Sequence, residues 1–499
     1  MRVLRSKHFF WAIMALFILE STWIAVSAVY PMVFDENTHL GIIKLHTHTW
    51  SPVFLHQPTN AGFAGELTRN PSYLYHYLMS FPYRVLASLT SSSMAQIIGL
   101  RFINIGLFAS SLVLFRRVLL KARASQAMTN VILLFFVLIP VVPLLAAQIN
   151  YDNLIMPLAG LAFLLAMAVN ERLSALGRRL PINLLLGLLT VCLFGSLVQI
   201  EFLPIFASVI LWLSWCIWKW TKSNRLKFLT TLNASWRENS LRNKLALAVP
   251  LIVAVTLFIQ MYGVNLAVYH SLIPQCNQVI SAQECSQNGS WERSHLAQIH
   301  KVRADNNPLS YSIGWTYRLA VSLFYTSSGG ARKAYYLSIN PLPTVFITAL
   351  AGFGLGLVLA LRYWRRILGL YPHVKLFLLA GGLYTVALWI NNDRDYLHTG
   401  IKVGINGRYL LPIVPLCLFV LLLGYQQLLK GRSSLRLGVF AIAFLLFLQG
   451  GGALTYLVYS NSAWYWQKPA IVRLNRNIQH VVKPLVILKS PMPVISGLK

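Results

Sequence analysis

The chain has 499 residues, of which 56% are hydrophobic and 11% charged, and its mean hydropathy is +0.59. This composition excludes an ordinary soluble enzyme, about a quarter of whose residues are charged, and a disordered chain, which needs low hydrophobicity. A formal charge of +30 in a soluble protein would suggest nucleic acid; here the basic residues sit in short loops between apolar runs, as in cytoplasmic loops of membrane proteins, and no nucleic-acid partner is expected.

Apolar runs close to the ~20 residues needed to cross a bilayer recur along the whole chain. In order, spans are expected near 9–29, 96–115, 128–148, 154–170, 184–199, 203–219, 246–268, 341–361, 375–391, 409–428 and 437–459, about eleven in all. The fold class is an all-α integral membrane protein, with one polytopic domain over 1–459 and a basic, weakly structured outer tail over 460–499. The first run follows basic residues and ends in small ones at Ala28, as a signal peptide does. It exceeds the usual apolar core of about 7–15 residues, so a retained helix is expected.

A large first outer loop follows, about 30–95. Within it the segment 72–90 is apolar, rich in Tyr and broken by Pro82; Tyr favours the interface, so an interfacial helix is expected there. A second outer loop is expected over about 270–340. With the N-terminus inside, the inner segments hold most of the basic residues, among them Arg116, Arg117, Lys121, Lys219 and Arg365. Glu171 and Glu238 fall inside and Glu20 lies within the first span; the other acids fall at or beyond the outer face, which is where chemistry is expected.

Candidate groups appear in chain order. Glu20 and Arg101 are ionisable at membrane depth, and such groups pair with each other or line a functional cavity. The first outer loop opens with Asp35 and Glu36, directly after a span. If a helix restarts after Pro31, Asp35 and His39 share a face and Glu36 points about 100° away. A carboxylate there accepts a proton from a hydroxyl or helps bind a divalent ion, or else simply favours a helix dipole. His39, His46, His48, His56 and His76 read as interfacial side chains, or His46 and His48 clamp a metal; no compact Cys/His set calls for zinc. In Gln148–Asn153, Asn and Asp satisfy a tight outer turn, or Asp152 lines the same cavity as Asp35. The turn Gln199-Ile200-Glu201 offers the same alternatives. Cys276 and Cys285 are candidates for a disulfide in an oxidising compartment. Arg408, in Asn406–Pro412, either snorkels to headgroups or holds the phosphate of a lipid-linked substrate, with His398 and Lys402 as cationic neighbours.

The ordered set FDENTH at 34–39, NYDN at 150–153, QIEFLP at 199–204 and GRYLLPIVP at 407–415 resembles the GT-C superfamily of polytopic membrane glycosyltransferases. The likeness is nearest the branch of the protein O-mannosyltransferases and the lipid A aminoarabinose transferase. It implies transfer of a sugar from a polyprenyl-phosphate-linked donor to a glycan, lipid or protein acceptor at the outer face, with inversion. The base maps to Asp35 with Glu36 as its neighbour, and donor-phosphate recognition maps to Arg408. Tyr409, His39, Asp152, Glu201 and Lys402 complete the candidate substrate-binding set. The likeness leaves open a divalent cation, Mg²⁺ or Mn²⁺, with Asp35 as a ligand. Many members carry a Lys where this chain has Glu201, and the large soluble C-terminal domain of some members has no counterpart here. The expected location is the cytoplasmic membrane of a bacterium. The rival classes are a lipid-linked glycan transporter or flippase and an O-antigen-type polymerase or ligase.

Overall fold

Ser6 starts the first long helix by accepting a hydrogen bond from the Phe9 N–H at 3.0 Å, so a basic N-terminal stretch passes directly into α1 (Lys7–Ser27). The computed structural model describes residues 3–175, 180–224, 228–237, 240–300, 304–305, 307–324, 343–450 and 464–485. In the first half α1 is followed by α2 (Glu36–His46), α3 (Leu74–Leu89), α4 (Ser93–Lys121), α5 (Gln126–Val137), α6 (Val141–Ala146), α7 (Asp152–Ala175), α8 (Ile182–Val198) and α9 (Leu203–Asn224). Among the described residues the nearest approach to a sheet is an isolated antiparallel bridge between Ala28 and Tyr465.

Among the described residues the protein is all-helical, and six of these helices are long and apolar enough to cross a membrane: α1, α4, α7, Ile200–Asn224, Arg242–Tyr269 and Val374–Thr399. Ile347–Arg362 and Trp364–Leu370 make a seventh if they count as one span across their 76° bend. Gln126–Val137, Ile182–Val198, Val414–Leu428 and Ser433–Leu448 are apolar but shorter. The expected span 128–148 is two helices because the chain turns at Leu138–Pro140, where proline cannot donate to a helix ladder. The segment 72–90 forms α3, with Pro82 inside it.

Aromatic rings tie the first helices together: Phe17 of α1 stacks on Phe108 of α4 at 5.4 Å, and Phe108 on Phe136 of α5 at 6.1 Å. At the opposite end of α4 and α7 from the first outer loop, Lys121 pairs with Glu171, which also faces His373 at 3.6 Å.

Two expectations are corrected by packing. Arg101 pairs not with Glu20 but with Glu36, the first residue of α2. The tail is not wholly unstructured, because Pro469–Val482 is a helix. Its Asn475 accepts from the Trp23 indole at 2.7 Å and donates to the Ser27 hydroxyl at 3.2 Å, and the Val29 N–H bonds the Trp464 carbonyl. Partly buried Ile471 and Val472 pack on the main core, and the basic residues between them and the C-terminal end hide that apolar periodicity in the sequence.

Candidate active site

The segment between α1 and α4 is anchored by a fully buried ion pair. Arg101 Nε and Nη2 donate to Glu36 Oε1 and Oε2, each at 2.8 Å. Glu36 also accepts the Met32 N–H at 2.8 Å and the Ile149 N–H at 3.2 Å. Arg101 Nη1 donates to the Ala25 and Ala28 carbonyls at 3.0 and 2.7 Å. All partners are thus satisfied, which is what a buried charge pair requires. Glu36 holds the end of α1, the start of α2 and the turn before α7 together; its lone pairs are occupied.

Asp35 is different. The helix begins at Glu36, not after Pro31, so Asp35 and His39 do not share a helical face. Phe34 and Asp35 both adopt left-handed backbone, with φ of 60° and 61°. Two successive non-glycine residues there are costly, and such strain persists only where the surroundings over-determine it. The Phe34 carbonyl is held by Asn150 Nδ2 at 3.1 Å. The Asp35 side chain is exposed and makes no cap hydrogen bond.

Asn150 is the hinge of this region. Its Oδ1 accepts the Asp152 N–H at 2.9 Å, which turns its Nδ2 toward His39 Nε2 at 3.3 Å. His39 Nε2 is therefore an acceptor, and Nδ1 carries the proton that bonds His76 Nε2 at 2.9 Å. Burial, with His76 and Arg408 nearby, holds His39 well below the usual imidazole range. Both of its ring nitrogens are in use, so His39 positions Asn150. Asn153 closes the turn by donating to Asn104 Oδ1 and to the Leu145 and Gln148 carbonyls, each at 3.0 Å.

Arg408 enters from the far end of the chain. It lies in the short helix Gly407–Leu410 and is 5% exposed. Its guanidinium sits over the Phe34 ring at 4.6 Å, and Nη2 donates to the Tyr409 hydroxyl at 3.1 Å. Asp152 Oδ2 stands 3.7 Å from Nε, too far for a hydrogen bond. Arg408 Nε and Nη1, and Asp152 Oδ2, have no hydrogen-bond partner. A buried guanidinium with two unpaired donors is chemically suited to bidentate contact with an anion. Gly407 sets its position: a Cβ there would lie 2.5 Å from the Leu319 carbonyl oxygen. Tyr384 donates to the Tyr409 carbonyl at 2.7 Å. Glu201 is half-buried and within electrostatic reach of Asp152 and Arg408.

The structure thus gathers His39, Asp152, Glu201, Arg408 and Tyr409. Lys402 makes its contacts elsewhere, 5.8 and 5.3 Å from the ring centres of Tyr311 and Tyr396. Cys276 and Cys285 are bonded, with Cα atoms 5.9 Å apart. Among the described residues no three His, Cys, Asp or Glu side chains converge as metal ligands. Phe34, Asn150 and Gly407 lie in the motifs FDENTH, NYDN and GRYLLPIVP, and His76 among the interfacial histidines, but their roles in the site were not legible, because their partners are remote in sequence. Comparison of the chain with protein-family models and with curated proteins found no match to either.

Proposed function

We propose that the protein is a membrane glycosyltransferase that moves a sugar from a polyprenyl-phosphate donor to an acceptor hydroxyl at the outer face. The observation that carries this is the buried Arg408 guanidinium, whose Nε and Nη1 have no partner. That fork suits a phosphate in bidentate contact. Beside it, the strained Phe34-Asp35 backbone leaves one carboxylate free while Glu36 is fully engaged.

The step is a single in-line displacement. Asp35 takes the acceptor hydroxyl proton as the acceptor oxygen forms a bond to the anomeric carbon. The bond from that carbon to the phosphate oxygen breaks, and its electron pair leaves with polyprenyl phosphate. Arg408 stabilises the charge that grows on the phosphate. Inversion follows, because attack and departure occur on opposite sides of one carbon. A site at the membrane boundary lets the polyprenyl tail stay in lipid while the sugar reaches water.

The test is release of polyprenyl phosphate from a polyprenyl-phosphate hexose by the purified protein in liposomes. Asp35→Asn is expected to lower it about 10²–10⁴-fold, the usual contribution of a general base, with the elution profile of the folded protein unchanged. Undiminished release would remove the assignment. The second reading, transport of a lipid-linked glycan, has one observation in its favour: Glu20 is buried in α1 with Oε1 unpartnered. It predicts donor movement across the bilayer without phosphate release.

A further inference from the structure

The ends of three helices form a second polar site, at the opposite membrane face from the candidate active site. A cavity of about 490 Å³ lies between the C-terminal ends of α7 and α9 and the start of Val374–Thr399. Lys219 and Lys375 approach the same indole ring there, at 5.7 and 5.4 Å from Trp215. Among the described residues neither lysine has a carboxylate partner; the nearby Glu171 is taken by Lys121 and His373. Asn170, Ser174 and Ser223 add hydrogen-bonding groups to the lining.

A second observation points to a ligand. Trp212 lines the same cavity, is 5% exposed, and its indole N–H has no hydrogen-bond partner. A buried donor left idle calls for an acceptor. Trp212 lies seven residues before Lys219 in α9, hence about 10 Å deeper along the helix axis. On the same two helices, Leu378 lies three residues past Lys375 and Leu211 next to Trp212, 49% and 54% exposed, as side chains facing hydrocarbon are. The lining therefore runs from cations at the rim to an idle N–H, and the exposed leucines of the same helices lie outside it. That order matches a phosphate, an ester carbonyl and an acyl chain.

We infer that this cavity binds one anionic phospholipid on the inner leaflet, its phosphate between Lys219 and Lys375 and a glycerol-ester carbonyl accepting from Trp212. Basic pockets between membrane helices on the cytoplasmic side are suited to anionic headgroups. The ring of Trp215 holds both lysine side chains in place through cation–π contact. The inference is independent of the glycosyltransferase proposal, because none of its residues belongs to the outer cluster.

Native mass spectrometry of the detergent-purified full chain tests it, with added phosphatidylglycerol, phosphatidylcholine or inorganic phosphate as probes. Phosphatidylglycerol is expected to leave a retained one-lipid adduct that phosphatidylcholine does not. Lys219→Gln/Lys375→Gln should weaken that adduct about thirtyfold. Trp212→Phe, which keeps a ring and removes the N–H, should weaken it several-fold. Lys222→Gln, whose lysine lies over the exposed Trp218 ring instead, should leave it unchanged. An adduct that survives the double substitution, or equal retention of phosphatidylcholine, overturns the site. Displacement of the adduct by equimolar inorganic phosphate overturns the assignment to a lipid.

Discussion

Arg101 and Glu36 face each other in a two-armed contact, 2.8 Å on each arm, with both side chains wholly buried and the two positions 65 apart in sequence. The contact joins α4 to the start of α2, and through the Ile149 N–H to the turn before α7. It makes the segment between α1 and α4 part of the helical bundle, and the adjacent Asp35 takes no part in the contact.

Removing one partner strands the other charge in a dry interior, which costs about 3–5 kcal/mol. Arg101→Ala and Glu36→Ala are each expected to lower the unfolding temperature in detergent sharply. Glu36→Gln/Arg101→Met should cost less than the sum of its single substitutions. Additive losses in a double-mutant cycle would show that the two groups do not stabilise each other.

Arg408 and Asp152 should separate kinetically. Arg408→Ala is expected to raise the donor KM and to cut kcat about 10²–10³-fold, as loss of a group stabilising charge in the transition state does. Arg408→Lys should recover only part of this, because an ammonium lacks the planar fork. Asp152→Asn keeps the turn, since it is the backbone N–H of this residue that bonds Asn150. A donor dependence unaltered in Arg408→Ala would refute the phosphate role.

Gly407→Ala should impair the site without touching a charged group. Its Cβ would meet the Leu319 carbonyl oxygen at 2.5 Å, a backbone atom that cannot swing aside. Relief requires moving the Gly407–Leu410 turn and with it Arg408. Activity is expected to fall while the bundle remains folded, and wild-type kinetics in this variant would show that the turn tolerates displacement.

Acid should destabilise the outer loop through its buried histidines. Burial holds His76 down to about 3 and His46 down to about 4, whereas unfolded imidazoles take up a proton near 6.5. Above about pH 6.5 neither state is protonated and these groups contribute no pH dependence. Below it the unfolded chain binds protons that the folded one refuses, so stability falls by about 1.4 kcal/mol per pH unit for each histidine. His46 stacks on Phe54 at 4.3 Å, and neither of its ring nitrogens has a partner. His46→Phe is therefore expected to flatten the loss between pH 6.5 and 4, measured by thermal unfolding across that range.

The separation of legible from illegible follows from which interactions are local. That the chain is helical and apolar enough for a membrane is written in run length and charge placement, both one-dimensional quantities set by bilayer thickness and by water. The same is true of the Asn-rich turn at 150–153, whose side chains bond backbone within a few residues. The lengths of individual spans were less legible, since a bend such as that at Leu138–Pro140 depends on what packs around it.

Which of two adjacent carboxylates is free was not legible from the residues themselves; only the family resemblance favoured Asp35. Asp35 and Glu36 look equivalent in sequence, and only the arrival of Arg101 on α4, with the left-handed backbone at Phe34 and Asp35, distinguishes them. Likewise Arg408 and Lys402 are near neighbours in the chain, yet one meets Phe34 and Asp152 while the other meets Tyr311 and Tyr396. The sequence by itself determined the solvent each segment prefers, because transfer between water and hydrocarbon is a property of each side chain. Only the tertiary structure decided which charges are paired and which are left idle, because pairing depends on distances between residues far apart along the chain.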